Sequence, residues 1–506
     1  MPLWKRLKTL RRPTGIATPS MSTPIRQLLA LITKSVDTLE TACASSGVSI
    51  PDLNEPFAPP SEAFRTIPGA AEAVNIISAA ALQLEAILAP PPLSLYHIVS
   101  GNFKSAALRI CLESGVTEIL REAGPQGLHV KDIAAKNGQD AEKLARFIRY
   151  LATHHVYREV SPNVFANNRI SSMMDTLKPS REILADPEHK HEKTMGLAAL
   201  ASHHLDETFQ ASAYAWETLV DPATARSGDQ CDAALTRAMG SKETLWQLYA
   251  RPEEKLRHDR FQIGMQGVEA MQPADAVVKA FDWAVLPPKS LVVDVGGGVG
   301  TSCLPLATKF PDLRFVVQDL KGVIDQGKEL WNTKLPAAIN SGQVTLQVHD
   351  FFTPQPQTGA SIFLLKQIMH DWSDENCKKI LTHLWDAAGS DTRLLLFDTI
   401  MPLTCHDPSA DDPKGIPGAA PVSEAPAPLL ANYGAVSEMA YTADFVMFAL
   451  FNSQERTAMH LVELLRQVGW KITAIHRQPG DSTFLQCVEA RKDTPLFIRF
   501  NNTDPG

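Results

Sequence analysis

His370 is the residue in this chain best placed to move a proton. It stands in the run FLLKQIMHDWSDE, from Phe363 to Glu375. An apolar strand pattern ends near Lys366, and a helix starts after Ser373. The histidine therefore falls on the connection leaving the strand's carboxyl end, where ligands lie in open α/β sheets. An imidazole of ordinary pKa about 6.5 can accept a proton at neutral pH. To act as a base it needs an acceptor on its other ring nitrogen. Two acids are candidates: Asp398, closing Leu396-Phe397-Asp398, and Glu455, in Gln454-Glu455-Arg456-Thr457. Each also has a plain structural account, Asp398 as a strand-end turn residue and Glu455 as a first-turn helix acid. The cluster His370, Asp371, Asp374 and Glu375 invites a metal reading. Asp374 and Glu375 are better explained by the positive end of the helix that Ser373 can cap, so no metal ligand is expected.

A second stretch, LVVDVGGGVGTSCLPLATKFPDLRFVVQDL from Leu291 to Leu320, defines the ligand. Leu291 to Val295 reads as a buried strand, Ser302 to Lys309 as a helix broken by Pro311-Asp312, and Leu313 to Val317 as a strand ending at Asp319. The turn after the first strand has the spacing Asp-x-Gly-x-Gly-x-Gly, from Asp294 through Gly296 and Gly298 to Gly300. A dinucleotide turn counted from Gly296 needs glycine or alanine at 301, which is Thr301. Asp294 before the turn suits a cationic or amine-bearing ligand, and Asp319 is placed to accept both hydroxyls of a ribose. These features favour S-adenosylmethionine over NAD; the plain alternative is a glycine turn with no ligand. Methyl transfer from a sulfonium to a phenol would then need His370, because a phenol of pKa about 10 is mostly protonated at pH 7.

The remaining chain must position these two stretches. A length of 506 residues exceeds one ordinary core. Hydrophobic residues make up 44% and charged residues 21%, as in a globular protein, and the net charge of -8 gives no reason to expect nucleic-acid binding. Seven scattered cysteines without CxxC pairs read as reduced thiols of a cytoplasmic protein. No apolar stretch is read as approaching a membrane span of roughly 20 residues. Residues 1 to 20 hold five basic residues and no acid, which fits a transit segment or an upstream extension before Met21. Helices are expected over 24–44, 70–87, 104–120 and 140–153, with a short one from His129 and a small β-wing over 156–166. That winged-helix pattern suits DNA recognition or, with Glu142 among Lys143, Arg146 and Arg149, a dimerisation or packing module. Residues 180–271 read as helical. Further strands are expected over 343–348, 361–365, 393–397 and 483–488, with helices over 373–388, 437–451 and 456–468. Thr404 to Tyr433, rich in proline and small residues, is expected to be a mobile insertion that buries little.

With these stretches in hand, the chain resembles the plant and fungal O-methyltransferases of the caffeic acid and flavonoid type. The resemblance runs from about residue 93 to 490 and is strongest in DVGGGVG (294–300), LLKQIMHDWSDENC (364–377) and QERT (454–457). It implies an α/β fold, a Rossmann-like class I methyltransferase domain with an N-terminal, mainly helical winged-helix dimerisation domain. The implied divisions are an N-terminal extension (1–68), the dimerisation domain (69–180), a helical bridging region (181–280) and the methyltransferase domain (281–490). It further implies S-adenosylmethionine, no metal, a homodimer, no membrane or nucleic-acid partner, and an aromatic or phenolic acceptor. Matched residue by residue, Gly296 lies in the cofactor turn, Asp319 and Leu320 take the ribose and adenine side, Asp350 and Phe351 flank the adenine, and Lys366 contacts the cofactor. His370 matches the base, Glu455 the acid beside it, and Asp371 and Met447 positions facing the acceptor. Asp398 stands where the family usually has glutamate, and the family's Asn-Pro-Gly-Gly-Lys is shortened to Asn452-Ser453-Gln454. Two alternatives keep the fold: a winged-helix regulator or scaffold with a silent methyltransferase domain, and an enzyme acting on nitrogen or carbon.

Overall fold

The computed structural model describes residues 23–273, 275–412, 414–421, 423–477 and 485–493. The basic segment 1–20, and residues 483 and 484 of the last expected strand, lie outside these.

The described chain opens on a helical hairpin. Pro24–Ser46 is capped by the Thr23 hydroxyl and stopped by Gly47 in the left-handed region, and it packs against Ala70–Leu88. Leu39 and Cys43 meet Phe64, Ala70 and Ala73 in one small core. Ala70–Leu88 is long and apolar enough, by length and composition, to cross a membrane, which corrects the reading that no such stretch exists. Its alanine face, Ala70, Ala73, Ala79 and Ala80, is buried because small side chains let the paired helix approach.

The winged-helix domain follows. Helices Gly101–Glu113, Val116–Ala123, Val130–Asn137 and Ala141–Thr153 surround Ile119, Ile133, Ile148 and Phe165. The helix expected over 104–120 is divided at Gly115, whose φ of 66° a helix cannot accommodate. The wing is a small sheet of β1 (Leu128–His129), β2 (Arg158–Ser161) and β3 (Val164–Ala166) in the order β1-β3-β2. Arg149, on the helix that would read DNA, is tied to Glu159 of the wing at 2.7 and 2.8 Å.

Short helices then bridge to the second domain. They include one π-helical turn, His204–Thr208. Its buried Asp206 gathers Arg109, Arg257 and Arg260 at 2.9, 3.2 and 2.9 Å, joining the winged-helix domain to the long helix Lys255–Ala270. A buried carboxylate is tolerable when so paired.

The second domain is built on a seven-stranded sheet. Its strands are β4 (Leu291–Val295), β5 (Arg314–Asp319), β6 (Val344–Val348), β7 (Ile362–Lys366), β8 (Arg393–Asp398), β9 (Trp470–His476) and β10 (Gln486–Lys492). They lie in the order β6-β5-β4-β7-β8-β10-β9. The first five are parallel, and β10 runs antiparallel to both β8 and β9. Near-continuous apolar runs such as those of β7 and β8 suit strands covered on both faces. One face packs Phe363, Ile380 and Leu396; the other packs Trp283, Phe315 and Phe397. Strand order reverses at β4, so the crevice beyond the ends of β4 and β7 is the switch point.

Residues 404–433 pack through their middle and C-terminal part, in place of the expected mobile insertion. Ile416 and Ala419 join the sheet core, where Ile475 N–H donates to Pro417 O at 2.8 Å. Leu429, with Ala425 and Tyr433, closes over Leu28, Ala79 and Ala80 of the N-terminal hairpin. The segment has too few apolar residues for a core of its own, and its neighbours supply the missing surface.

Candidate active site

The glycine turn sits at the switch point, with positive φ at Gly296, Gly298 and Gly300. Two close approaches explain why side chains are excluded. A Cβ on Gly297 would fall 2.5 Å from the Asp294 carboxylate carbon, and one on Gly300 would fall 2.6 Å from Trp331 Nε1. Asp294 is buried beneath the turn. Its Oδ2 accepts the Cys303 thiol at 3.3 Å and its Oδ1 has no partner. Burial pushes its pKa up to about 6, against the pull of Cys303 and of Lys366 at the end of β7. Asp319, closing β5, accepts Gly298 N–H at 2.8 Å and Leu320 N–H at 2.7 Å, and burial raises its pKa. Each of its oxygens keeps a lone pair for a further donor.

Phe351 and Ile368 wall the same crevice, 3.2 and 2.7 Å from where a Gly296 Cβ would stand. Phe351 is held edge-on by Phe352 and Trp372, with ring centroids 5.1 and 5.9 Å away. Asp350 is exposed and its carboxylate accepts Phe352 N–H at 2.9 Å. Leu320 is 59% exposed. The donor set fits S-adenosylmethionine: an unpartnered buried acceptor under the turn for an ammonium group, a strand-end carboxylate for ribose hydroxyls, and an apolar wall for a purine.

His370 lies on a single 3₁₀ turn, Met369–Asp371, past the end of β7. Its Nδ1 is 2.8 Å from Glu455 Oε1, and its Nε2 is 3.6 Å from Asp371 Oδ1. Burial opposes charge on the ring, yet Asp371, Glu455 and Asp398 together raise its pKa to about 10. Asp371 and Asp398 are pushed up by burial, to about 6 and about 7. The structure separates the two candidate orienting acids. Glu455 holds the ring; Asp398 is buried with neither oxygen hydrogen-bonded and acts only through its charge. Met447 is half-buried against the apolar cluster of Ala211, Leu235 and Tyr249. Its helix, Glu438–Phe451, carries Asp444, which accepts Glu455 N–H at 2.7 Å.

Residues that sequence reasoning gave no role also converge here. Arg456, buried beside Glu455, donates to Met369 O at 2.8 Å, Trp372 O at 2.7 Å and Asp374 Oδ1 at 2.9 Å. Ser453 Oγ donates to His370 O at 2.6 Å and Gln230 Nε2 to Asp371 O at 2.8 Å. The one available signal was Arg456 standing next to a candidate acid.

The sheet order, the glycine turn at its switch point and the histidine–glutamate pair beyond the adjoining strand define a Rossmann-like class I methyltransferase. Comparison with known proteins narrows this. Residues 216–413 match the model of the O-methyltransferase domain and residues 96–176 that of the O-methyltransferase dimerisation domain. The chain is 52% identical over 471 residues to 4-O-methyltransferase 1 of Phanerochaete chrysosporium, covering 93% of this chain and 99% of that one. It is 38% identical over 457 residues to an O-methyltransferase of Armillaria gallica, covering 90% and 96%. The solved structure of OxaC in complex with sinefungin and meleagrin superposes with a TM-score of 0.61 at 21% identity, covering 92% and 99%, and shares the fold. The chain belongs to the O-methyltransferase family, whose members take their methyl group from S-adenosylmethionine.

Proposed function

We propose that the acceptor is a phenolic or related aromatic hydroxyl and that His370 is the general base. The observation carrying this is the 2.8 Å contact of Nδ1 with Glu455, which commits that nitrogen and leaves Nε2 for the acceptor proton. S-adenosylmethionine supplies the electrophilic methyl group. Glu455 fixes the ring and favours the imidazolium that forms when the hydroxyl gives up its proton. With its pKa raised to about 10 the ring is mostly charged at pH 7. The neutral ring that takes the proton is therefore the minor form there, and turnover should climb with pH toward about 10. From that form the proton passes between groups of matched pKa, the phenol's being about 10. Neutral ring with phenol and charged ring with phenolate carry the same protons, so exchange at Nε2 is nearly thermoneutral. The name of the Phanerochaete relative, a 4-O-methyltransferase, supports an oxygen acceptor. Assay of a panel of substituted phenols with methyl-labelled S-adenosylmethionine tests the reading. His370→Ala is expected to abolish turnover while leaving cofactor affinity within about twofold, since His370 does not form the turn or the Asp319 site. Wild-type turnover in that variant would remove His370 from the chemistry.

The acting unit is proposed to be a homodimer. Helix Pro91–Val99 buries none of its residues, and Leu95, Tyr96, Ile98, Val99 and Phe103 are each more than half exposed where the dimerisation-domain match begins. A contiguous apolar face of this kind fits a second copy. Light scattering after size exclusion should show a dimer that Ile98→Asp dissociates; a monomeric wild type would refute it.

A further inference from the structure

We propose that Ser453 and Arg456 are positioning residues that set the backbone carrying His370, so that the turn 452–456 orients the base as one unit. This rests on His370 acting as the base. The 3₁₀ turn around His370 has little to hold it from within, only Asp371 N–H to Ile368 O at 3.2 Å and Trp372 N–H to Met369 O at 3.3 Å. Its conformation is held from outside. Four consecutive carbonyls, 369 to 372, each accept a side-chain donor: Arg456 at Met369 and Trp372, Ser453 at His370, Gln230 at Asp371. Cys377 adds thiol contacts to the first and last, both at 3.3 Å. Arg456 spans the histidine, reaching the carbonyl before it, the second carbonyl after it and the Asp374 carboxylate that opens the next helix. Only a planar fork with several donors can do this; a lysine offers one point.

The donors on the turn are themselves anchored. Asn452 takes the left-handed region at φ 53°, and its amide donates to Ser227 O at 2.8 Å and Asp229 O at 3.0 Å. Glu455 N–H is fixed by Asp444. Four of the five residues 452–456 therefore hold the ring through Glu455, its backbone through Ser453 and Arg456, and the turn itself through Asn452. Ser453 stands in the shortened segment Asn452-Ser453-Gln454 and puts its hydroxyl on the His370 carbonyl. A base misplaced by about 1 Å can cost about a hundredfold in rate, which makes such bracing a catalytic matter.

The test uses full-length wild type, Ser453→Ala, Arg456→Lys and His370→Ala, with the best phenol from the panel. At pH 7, Ser453→Ala should lower kcat about tenfold and Arg456→Lys up to about a hundredfold. The acceptor KM, and the Kd for S-adenosylhomocysteine by calorimetry, should stay within about twofold. The deficits should shrink as pH approaches the acceptor's own pKa of about 10, because an ionised phenol no longer needs a placed base; a lesion of the fold lowers the rate at every pH. Should Arg456→Lys not fold, Ser453→Ala decides alone. Wild-type kcat at pH 7 in the folded variants, with His370→Ala inactive, would overturn the positioning role and leave the base intact. Full turnover in His370→Ala would remove both.

Discussion

Replacing Glu455 by glutamine tests the electrostatics of the site most directly. The substitution keeps the shape and an oxygen for the Nδ1 proton, and removes one buried negative charge 2.8 Å from the ring. A hydrogen bond to a charged group is worth roughly 1.5–3 kcal/mol, and one pKa unit is about 1.4 kcal/mol. His370, raised to about 10 in the wild type, should therefore fall by about one to two units. It should stay above its ordinary value, because Asp371 at 3.6 Å remains and Asp398 still acts by charge. Nuclear magnetic resonance of protein labelled in the histidine rings, with His370→Ala to assign the signal, reads this without any acceptor. The acid limb of kcat/KM against pH should move down by the same amount. Stability follows with a definite sign. A histidine raised on folding contributes fully below about 6.5, and that contribution is lost as pH rises through about 10. Glu455→Gln should thus cost stability at pH 6 and little above pH 10. The cost should be less than the full bond, since Glu455 also repels Asp371 and Asp398, and both are relieved. A ring pKa unchanged or raised in Glu455→Gln would refute the account.

Other perturbations probe the crevice and the frame around it. Asp319→Ala removes the carboxylate beside the glycine turn and should weaken S-adenosylhomocysteine binding about ten- to a hundredfold by calorimetry, with kcat at saturating cofactor little changed. Gly297→Ala drives a Cβ to 2.5 Å from a carboxylate buried on all sides; it should cost about 1–3 kcal/mol by denaturant unfolding and weaken the cofactor as well. Leu28→Ala opens a cavity between the N-terminal hairpin and the Leu429 segment. A loss of about 2–5 kcal/mol should appear as faster proteolysis within 404–433, while an unchanged cleavage rate would mean the two do not support each other.

The amino-acid sequence by itself carried whatever is decided by neighbours along the chain. β4, the glycine turn and β5 are legible because an apolar run, a cluster of glycines and a strand-end aspartate lie within 30 residues, and each constrains backbone dihedrals locally. His370 is legible for the same reason, as a titratable residue between a strand and a helix start. Tertiary structure decided the rest. Strand β9, Trp470–His476, was not read from the sequence: its pairing partner β10 lies beyond a further segment, and its place at the sheet edge leaves a weak pattern. The choice between Asp398 and Glu455 depended on reach across the site, 85 positions separating Glu455 from the ring it holds. The donors to the carbonyls of 369–372 come from 83 to 141 positions away, apart from the nearby Cys377. The segment 404–433 could be read only as unable to fold alone, which is correct of its composition. Its burial is supplied by the sheet core around Ala419 and by a hairpin nearly 350 residues distant, as in the Gln83 amide bonded to Pro428 O. Local rules fix dihedrals; the partners of a buried polar or apolar group are set by packing, which a linear string does not contain.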